Sequence, residues 1–95
     1  MQVPKKIIAL VTRNRIAFSD KAYEQLYDGP FTLDDLKNSI LEGRLVKKEK
    51  DETGLARYKY IIIGPALSGK YVYSCGKIIK RFQEEYLILT FHEAF

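Results

Sequence analysis

The sequence predicts an α+β fold in which two or three N-terminal helices pack on one face of a four-stranded antiparallel sheet. Three observations lead to this class. Residues 1–43 carry helical spacing of apolar side chains and recognisable helix caps. From residue 44 onward, four segments rich in β-branched and aromatic residues replace that spacing. Short turns join these segments, and strands joined by short turns pair antiparallel.

Length and charge limit the class of molecule. The 95 residues make one domain, spanning 1–95, and hydrophobic residues at 46% suffice for one modest core. The net charge of +4 favours a polyanion or an acidic protein as partner. The same charge also serves simply to keep a small domain soluble, so both interpretations stay open.

Several kinds of chemistry are not expected. The single cysteine, Cys75, excludes an internal disulfide and a cysteine-based zinc site, and we expect a buried, inert thiol. One histidine and one cysteine argue against a transition-metal site, so no cofactor is predicted. Residues 64–70 lack the spacing of a phosphate-binding loop. No apolar stretch approaches 18 residues, so we expect a cytoplasmic protein without a membrane partner.

The N-terminal half contains the helical signals. Residues 3–12 read as a short helix with Pro4 in its first turn, 15–18 as a short extended piece, and Ser19 as the N-cap of a helix over 20–26. After a turn at 27–30, Thr32 and Asp35 form a near capping box for the clearest helix, which ends before Gly43. Its predicted core stripe is Leu33, Leu36, Ile40 and Leu41.

The C-terminal half contains the strands. They are predicted over 45–49, 57–63, 70–79 and 86–93, with a charged loop at 50–54, a turn at 64–69 and a polar connection at 80–85. Strict alternation in the last strand places one set of side chains on the packing face and the other on the open face. The predicted packing set is Leu87, Leu89 and Phe91, and the predicted open set is Ile88, Thr90 and His92.

Basic and aromatic side chains enter the predicted sheet from several strands. They are Lys47, Lys48, Arg57, Lys59, Tyr71, Tyr73 and His92. Cations neutralise phosphates and aromatic rings stack on bases, so this combination suits single-stranded RNA. Cleavage of RNA without a metal also needs a general base, an acid and a cation, and histidine as a residue type titrates near neutral pH.

Each of these residues also has an ordinary structural interpretation. Lysines on an edge strand protect it from pairing with other chains, and tyrosines often pack half-buried. A lone histidine near the C-terminus is frequently just a solvated strand residue. By itself, the constellation does not decide between these roles.

Several segments together show a family resemblance. Lys5-Lys6-Ile7-Ile8 looks like an opening helix, 17–40 like a middle helical region, and 45–69 aligns without a gap. The closing Leu87-Ile88-Leu89-Thr90-Phe91-His92-Glu93 is similar to a characteristic final strand. On this order and spacing, the chain resembles the MqsR-like mRNA interferases of the RelE toxin superfamily. It also resembles a related domain family of unknown function found beside zinc-finger antitoxins.

The resemblance implies a RelE-like fold and a metal-independent endoribonuclease of a type II toxin–antitoxin system, which cuts by attack of the RNA 2′-hydroxyl. Implied partners are mRNA, free or on the ribosome, and a cognate antitoxin, for which a zinc-finger protein is one candidate. Residue by residue, the family's catalytic lysine falls on Lys47 and its final-strand cation on His92. A family glutamine falls on Lys59, which changes the charge there.

Two further positions depart from the family pattern. The family tyrosine falls near Val72, so Tyr71 or Tyr73 has to substitute after a shift of one residue. The related family has a His-Ala pair where this chain has Lys21-Ala22.

The resulting expectation has two sets of site residues. The catalytic set is Lys47, Lys59, Tyr73 and His92, gathered on the open face within reach of one phosphodiester, and the RNA-binding set is Lys48, Arg57 and Tyr71. Two alternatives stay open: a non-catalytic RNA-binding module that keeps the fold, and a protein-interaction domain whose sheet edge or basic face takes an acidic partner.

Overall fold

The computed structural model describes residues 1–54 and 56–95, which form three helices and five strands. The helices are α1 (Lys5–Thr12), α2 (Asp20–Asp28) and α3 (Leu33–Leu41). The strands are β1 (Ile16–Phe18), β2 (Arg44–Lys50), β3 (Tyr58–Pro65), β4 (Tyr71–Lys80) and β5 (Glu84–Glu93). They form one sheet in the order β1-β5-β4-β3-β2. The α+β class is therefore confirmed. None of the helices within the described residues is long and apolar enough to cross a membrane.

The predicted count of four antiparallel strands is wrong, because the short extended piece after α1 joins the sheet as β1. It pairs parallel to β5, with Ile16 beside Tyr86 and Phe18 beside Ile88, whereas the other pairings are antiparallel. A three-residue strand carries too little periodicity to reveal its partner, and this partner lies about 70 residues away in the chain. The strand also separates α1 from α2, so the helices do not form one N-terminal block.

The predicted helix caps are confirmed. The Ser19 hydroxyl accepts a hydrogen bond from the Ala22 amide, and Thr32 and Asp35 form a complete capping box. The hydrogen bond from the Thr32 amide is the main reason that the pKa of Asp35 lies below its usual value. Helix α2 continues to Asp28, two residues into the predicted turn.

The predicted core stripe of α3 is only partly correct. Leu36 and Ile40 are fully buried, whereas Leu33 and Leu41 are 39% and 36% exposed. The buried stripe is narrower and includes Ser39, because the helix packs this polar residue directly against glycine backbone in the sheet. Sequence periodicity alone does not show such a contact.

All three helices contribute buried side chains to one face of the sheet, here called the packing face. From the helices come Ile7, Leu10, Val11, Ala22, Leu36 and Ile40, and from the strands Leu45, Ile62, Val72, Tyr86, Ile88 and Phe91. The opposite face of β2–β5 is here called the open face. Side chains from all three helices lie against the packing face, so no described helix covers the open face.

Two β-bulges change which side chains reach each face. Leu45 and Lys47 pair with the adjacent residues Ile62 and Ile61, so Val46 is an extra residue in β2. The bulge buries Leu45 yet turns Lys47 to the open face, although residues two apart normally share a face.

The second bulge contradicts the predicted alternation of the last strand. Gly76 pairs with Ile88 and Cys75 with Thr90, which leaves Leu89 as an extra residue in β5. Ile88 and Phe91 are therefore both buried, at 0% and 2% exposure. Leu87 and Leu89 are half-buried instead of forming the core. The predicted positions of Phe91 in the core and of His92 on the open face hold.

A close approach of backbones joins α3 to β3. A Cβ atom added at Gly64 would lie 1.9 Å from the Ser39 carbonyl oxygen and 2.6 Å from the Gly43 Cα. Both obstacles are backbone, which cannot rotate away as a side chain does. The glycine therefore permits α3 to pack directly on the sheet.

This contact leads to a stability prediction. We expect Gly64→Ala to lower the free energy of unfolding by about 3 kcal/mol, because the helix and the strand have to move apart. Gly69→Ala is the control, because a Cβ atom at this position meets no atom within 4 Å. Only the positive φ of 93° is unfavourable for alanine, so we expect the free energy of unfolding to fall by about 1 kcal/mol. Urea unfolding of both variants measures the difference. Equal losses of unfolding free energy in the two variants would show that the close approach of α3 to β3 does not make Gly64 essential for stability.

The predicted charged loop after β2 supplies the acidic member of a buried ion pair. Lys77 Nζ lies 3.2 Å from Asp51 Oδ2, and the two side chains are only 4% and 0% exposed. Lys77 projects from the open face of β4, and the β2–β3 connection closes over it. The carboxylate of Asp51 also accepts hydrogen bonds from the Thr53 hydroxyl and the Ala56 amide. This end of the open face is therefore covered by the chain itself.

Candidate functional site

The open face combines aromatic, aliphatic and basic side chains. Its members are Lys47, Glu49, Lys59, Ile61, Ile63, Tyr71, Tyr73, Cys75, Leu87, Thr90 and His92, as the strand register places them. Most are half-buried by their neighbours within the sheet. The face is therefore a semi-apolar surface with a few charges rather than a uniformly basic one.

Tyr73 and His92 form a close pair of chemically active side chains on this face. They are direct partners on β4 and β5, and their rings stack at 4.8 Å between centroids with 13° between planes. His92 Nδ1 lies 2.9 Å from the carbonyl oxygen of Glu93. A carbonyl oxygen only accepts, so a hydrogen bond here places a proton on Nδ1 and leaves Nε2 as the ring nitrogen available to a substrate. In the neutral ring, this contact makes Nε2 the proton-accepting nitrogen.

The tyrosine and the neighbouring thiol both remain protonated near neutral pH. Burial is the main reason that the pKa of Tyr73 is raised, and electrostatic interactions with Cys75 and Glu49 add to the rise. Burial likewise raises the pKa of Cys75, with Lys59 acting in the opposite direction. A protonated thiol is a poor nucleophile. The expected inert cysteine is supported, although its side chain is half-buried rather than buried.

Lys47 and Lys59 share the open face with the stacked pair but lie well away from it. Lys47 Nζ is 3.5 Å from Glu49 Oε1, and Lys59 is the cross-strand partner of the same glutamate. Lys47 is three strands from His92, and Lys59 is two strands away and further along the sheet. Strand and residue spacing put each lysine roughly 15 Å from His92 at the backbone. Of the four predicted catalytic residues, only Tyr73 and His92 are in contact.

The predicted RNA-binding residues are divided between the two sides of the sheet. Tyr71 lies on the open face and packs against Phe95, with 5.9 Å between ring centroids. Lys48 turns to the other side, where its Nζ is 4.1 Å from the centre of the Tyr58 ring. Arg57 lines a groove on that side together with Lys6, Tyr58 and Tyr60. The structure therefore does not gather these three residues into one surface.

A groove that the sequence reasoning missed lies between α2 and the end of β5. This α2–β5 groove has a volume of about 500 Å³. It is lined by Lys21, Glu24, Gln25, Asp28, Gly29, Pro30, Phe31, Phe91, His92 and Glu93. The Gln25 side-chain oxygen accepts from the Phe91 amide and the Thr90 hydroxyl, which fixes the wall. Lys21, where the related family has histidine, thus shares a groove with His92.

Part of this groove was visible in the sequence. Residues 21, 24, 25 and 28 have the spacing of one helix face, so their common orientation was predictable. Their proximity to His92, 64 or more residues later, depends on how α2 packs against β5. Among residues 1–54 and 56–95, no group of three histidine, cysteine, aspartate or glutamate side chains is placed to hold a metal ion.

Comparison with known proteins adds no assignment. No family model matches this chain, and no curated protein or solved structure matches it at a significant level. The resemblance to toxin ribonucleases therefore stays a prediction.

Proposed function

We propose that this protein is a toxin-type endoribonuclease of RelE-like fold that cuts single-stranded mRNA on the open face without a metal ion. The observation that carries the proposal is the stacked Tyr73–His92 pair, because it presents a proton-accepting Nε2 on an uncovered sheet face. A general base is what attack by a ribose 2′-hydroxyl requires. Lysines on the same face supply positive charge for the RNA backbone.

The proposed reaction uses few protein groups. His92 Nε2 takes the proton of a 2′-hydroxyl, whose oxygen then attacks the adjacent phosphorus. The bond from phosphorus to the 5′-oxygen breaks, and that oxygen takes up a proton from solvent. The products are a 2′,3′-cyclic phosphate and a 5′-hydroxyl. Tyr73 holds the imidazole plane by stacking, and its protonated hydroxyl is available to donate a hydrogen bond to the phosphate.

The two lysines bind the RNA strand away from this centre, both towards the β2 edge of the sheet. Because Lys47 and Lys59 lie roughly 15 Å from His92, we assign them to neighbouring phosphates of the same RNA. Tyr71, exposed near His92, offers a ring on which a base can stack. A cognate antitoxin would inhibit the enzyme by covering this face.

A second candidate is a module that binds RNA or protein without cleavage. The specific observation in its favour is the aliphatic content of the open face, where Ile61, Ile63 and Leu87 lie half-buried beside the charged groups. Such a surface also fits a protein partner. The distance between the lysines and His92 supports binding more directly than it supports catalysis.

The proposed function predicts cleavage of RNA and not of DNA. Purified protein is incubated with a mixed-sequence single-stranded RNA and with the matching DNA, in EDTA. We expect new RNA ends that carry a 2′,3′-cyclic phosphate and a 5′-hydroxyl, while the DNA, which lacks the 2′-hydroxyl, stays intact. Denaturing gels and phosphatase treatment of the ends provide the measurement.

RNA binding is measured in parallel with cleavage, so that the two candidate functions can be distinguished. RNA affinity that falls as salt rises, without new ends, favours the non-catalytic RNA-binding module. Intact RNA together with no measurable affinity would refute the RNA-directed proposal. Cleavage that stops in EDTA would contradict the metal-independent mechanism.

A further inference from the structure

The α2–β5 groove differs in charge from the rest of the molecule. Three carboxylates line it, Glu24, Asp28 and Glu93, against a single lysine, Lys21. With His92 neutral, the groove carries a net charge of −2, whereas the whole chain carries +4. Within the part of the chain that the structure describes, none of these three carboxylates forms an ion pair. A phosphate backbone is therefore repelled here.

The groove also has apolar walls. Pro30, Phe31 and Phe91 line it, and its volume of about 500 Å³ lies within the range of sites that hold a ligand. Its walls are fixed: Gln25 is bonded to β5, and both phenylalanines are anchored in the core at 4% and 2% exposure. An apolar floor beneath unpaired carboxylates suits a side chain with a long aliphatic stem and a positive head.

From this complementarity we infer that the α2–β5 groove binds a basic segment of a partner protein, one that presents arginine or lysine between apolar residues. The cationic heads pair with Glu24, Asp28 and Glu93, and the stems lie along Pro30, the exposed apolar residue of the lining. Arginine is the better fit, because its planar head binds a carboxylate through two hydrogen bonds. The docking goes beyond the proposed function.

The position of His92 links binding in the α2–β5 groove to the proposed RNA site on the open face. His92 lines the groove and also carries the proposed general base of the open face. A segment seated in the groove therefore lies against His92, and we expect it to hinder the approach of RNA to this residue. This consequence, unlike the docking itself, rests on the proposed function.

The test uses a defined probe, a five-residue peptide of alternating leucine and arginine, titrated into ¹⁵N-labelled protein. We expect amide shifts at Gln25, Gly29, Phe91 and His92 that weaken as salt rises. In Glu24→Gln/Asp28→Asn the dissociation constant should increase about fivefold or more, from the loss of two exposed charge pairs. The matched control, Asp34→Asn/Glu52→Gln, loses the same charge outside the groove and should bind as the unaltered protein does.

Three results would overturn the inference. One is equal affinity of the two double variants for the peptide. Another is equal affinity for a peptide in which glutamine replaces arginine. The third is an RNA oligonucleotide, rather than the peptide, shifting the groove amides. Because these readouts involve no cleavage, failure of the proposed function leaves them intact. Inhibition of RNA cleavage by the peptide tests the consequence separately.

Discussion

Lys77→Met should cost the protein a large part of its stability, with a loss of about 3–5 kcal/mol. The substitution leaves the Asp51 carboxylate charged, buried and without its cation. Domains of this size are stabilised by only about 5–14 kcal/mol, so the loss is a substantial share of the total. Thermal unfolding followed by circular dichroism measures it, and a fall in Tm of at least about 12 °C is expected.

The control is Lys80→Met, which removes a lysine from the exposed end of the same strand. It should change the free energy of unfolding by about 0.5 kcal/mol at most, because surface substitutions away from special features rarely do more. If Lys77→Met unfolds at the same temperature as Lys80→Met, the buried pair is not a stabilising feature of the fold.

The same ion pair predicts how stability depends on pH. Burial by itself raises the pKa of Asp51, but hydrogen bonds from Thr53, Lys77 and Ala56 outweigh it and lower the pKa to about 2. A folded pKa below the unfolded value gives stability that is present above about pH 4 and is lost as pH falls towards 2. Lys77→Met removes one lowering contact and keeps the burial, so its acid unfolding should begin at a higher pH.

The largest expected effect on activity comes from His92. We expect His92→Ala to reduce the rate of RNA cleavage by about 10²–10⁴-fold, the usual contribution of a general base. RNA affinity should change little, because the phosphate contacts are assigned to Lys47 and Lys59. Single-turnover cleavage and equilibrium binding separate the two effects. A variant that cuts RNA at the normal rate would remove His92 from the mechanism.

Tyr73 offers a finer test of the same site. Tyr73→Phe keeps the ring that stacks on His92 and removes only the hydroxyl, whereas Tyr73→Ala removes both. If stacking positions the imidazole, the alanine variant should be about tenfold slower and the phenylalanine variant close to normal, in line with the energy of an aromatic pair. The reverse order, or a full loss in both, would assign the function to the hydroxyl instead.

Local signals in the sequence predicted the elements well. Ser19 and the Thr32–Asp35 capping box lie where the helices begin, because a cap depends only on residues within one helical turn. Strands β2–β5 were all found, since apolar and aromatic residues at short intervals are also a local property. The sequence predicts an extended segment at β1 but does not place it in the sheet, because its partner strand is distant in the chain.

The faces of the strands were less predictable. Bulges at Val46 and Leu89 each insert one residue and reverse the alternation that follows. Without the first bulge Lys47 would share the face of Leu45, and without the second His92 would share the face of Ile88. Nothing in the local spacing marks either bulge.

The candidate site was also only partly predictable from the sequence. The sequence identified His92, Tyr73 and the lysines as chemically capable side chains, because residue type alone gives that capability. Whether they meet depends on strand pairing across the sheet, which brought Tyr73 onto His92 and kept Lys47 and Lys59 apart from it. The groove beside His92 and the burial of Asp51 and Lys77 likewise arise from segments that are distant in the chain.

By itself, the sequence determined the α+β class, the helix caps, the strand segments and the side chains available for chemistry, because these depend on residue type and on neighbours within a few positions. Only the tertiary structure decided the parallel β1, the two bulges, the buried ion pair and the partner of His92. The physical reason is that close packing and backbone hydrogen bonding between distant segments fix these features. The energy of such contacts cannot be predicted from any short stretch of the sequence.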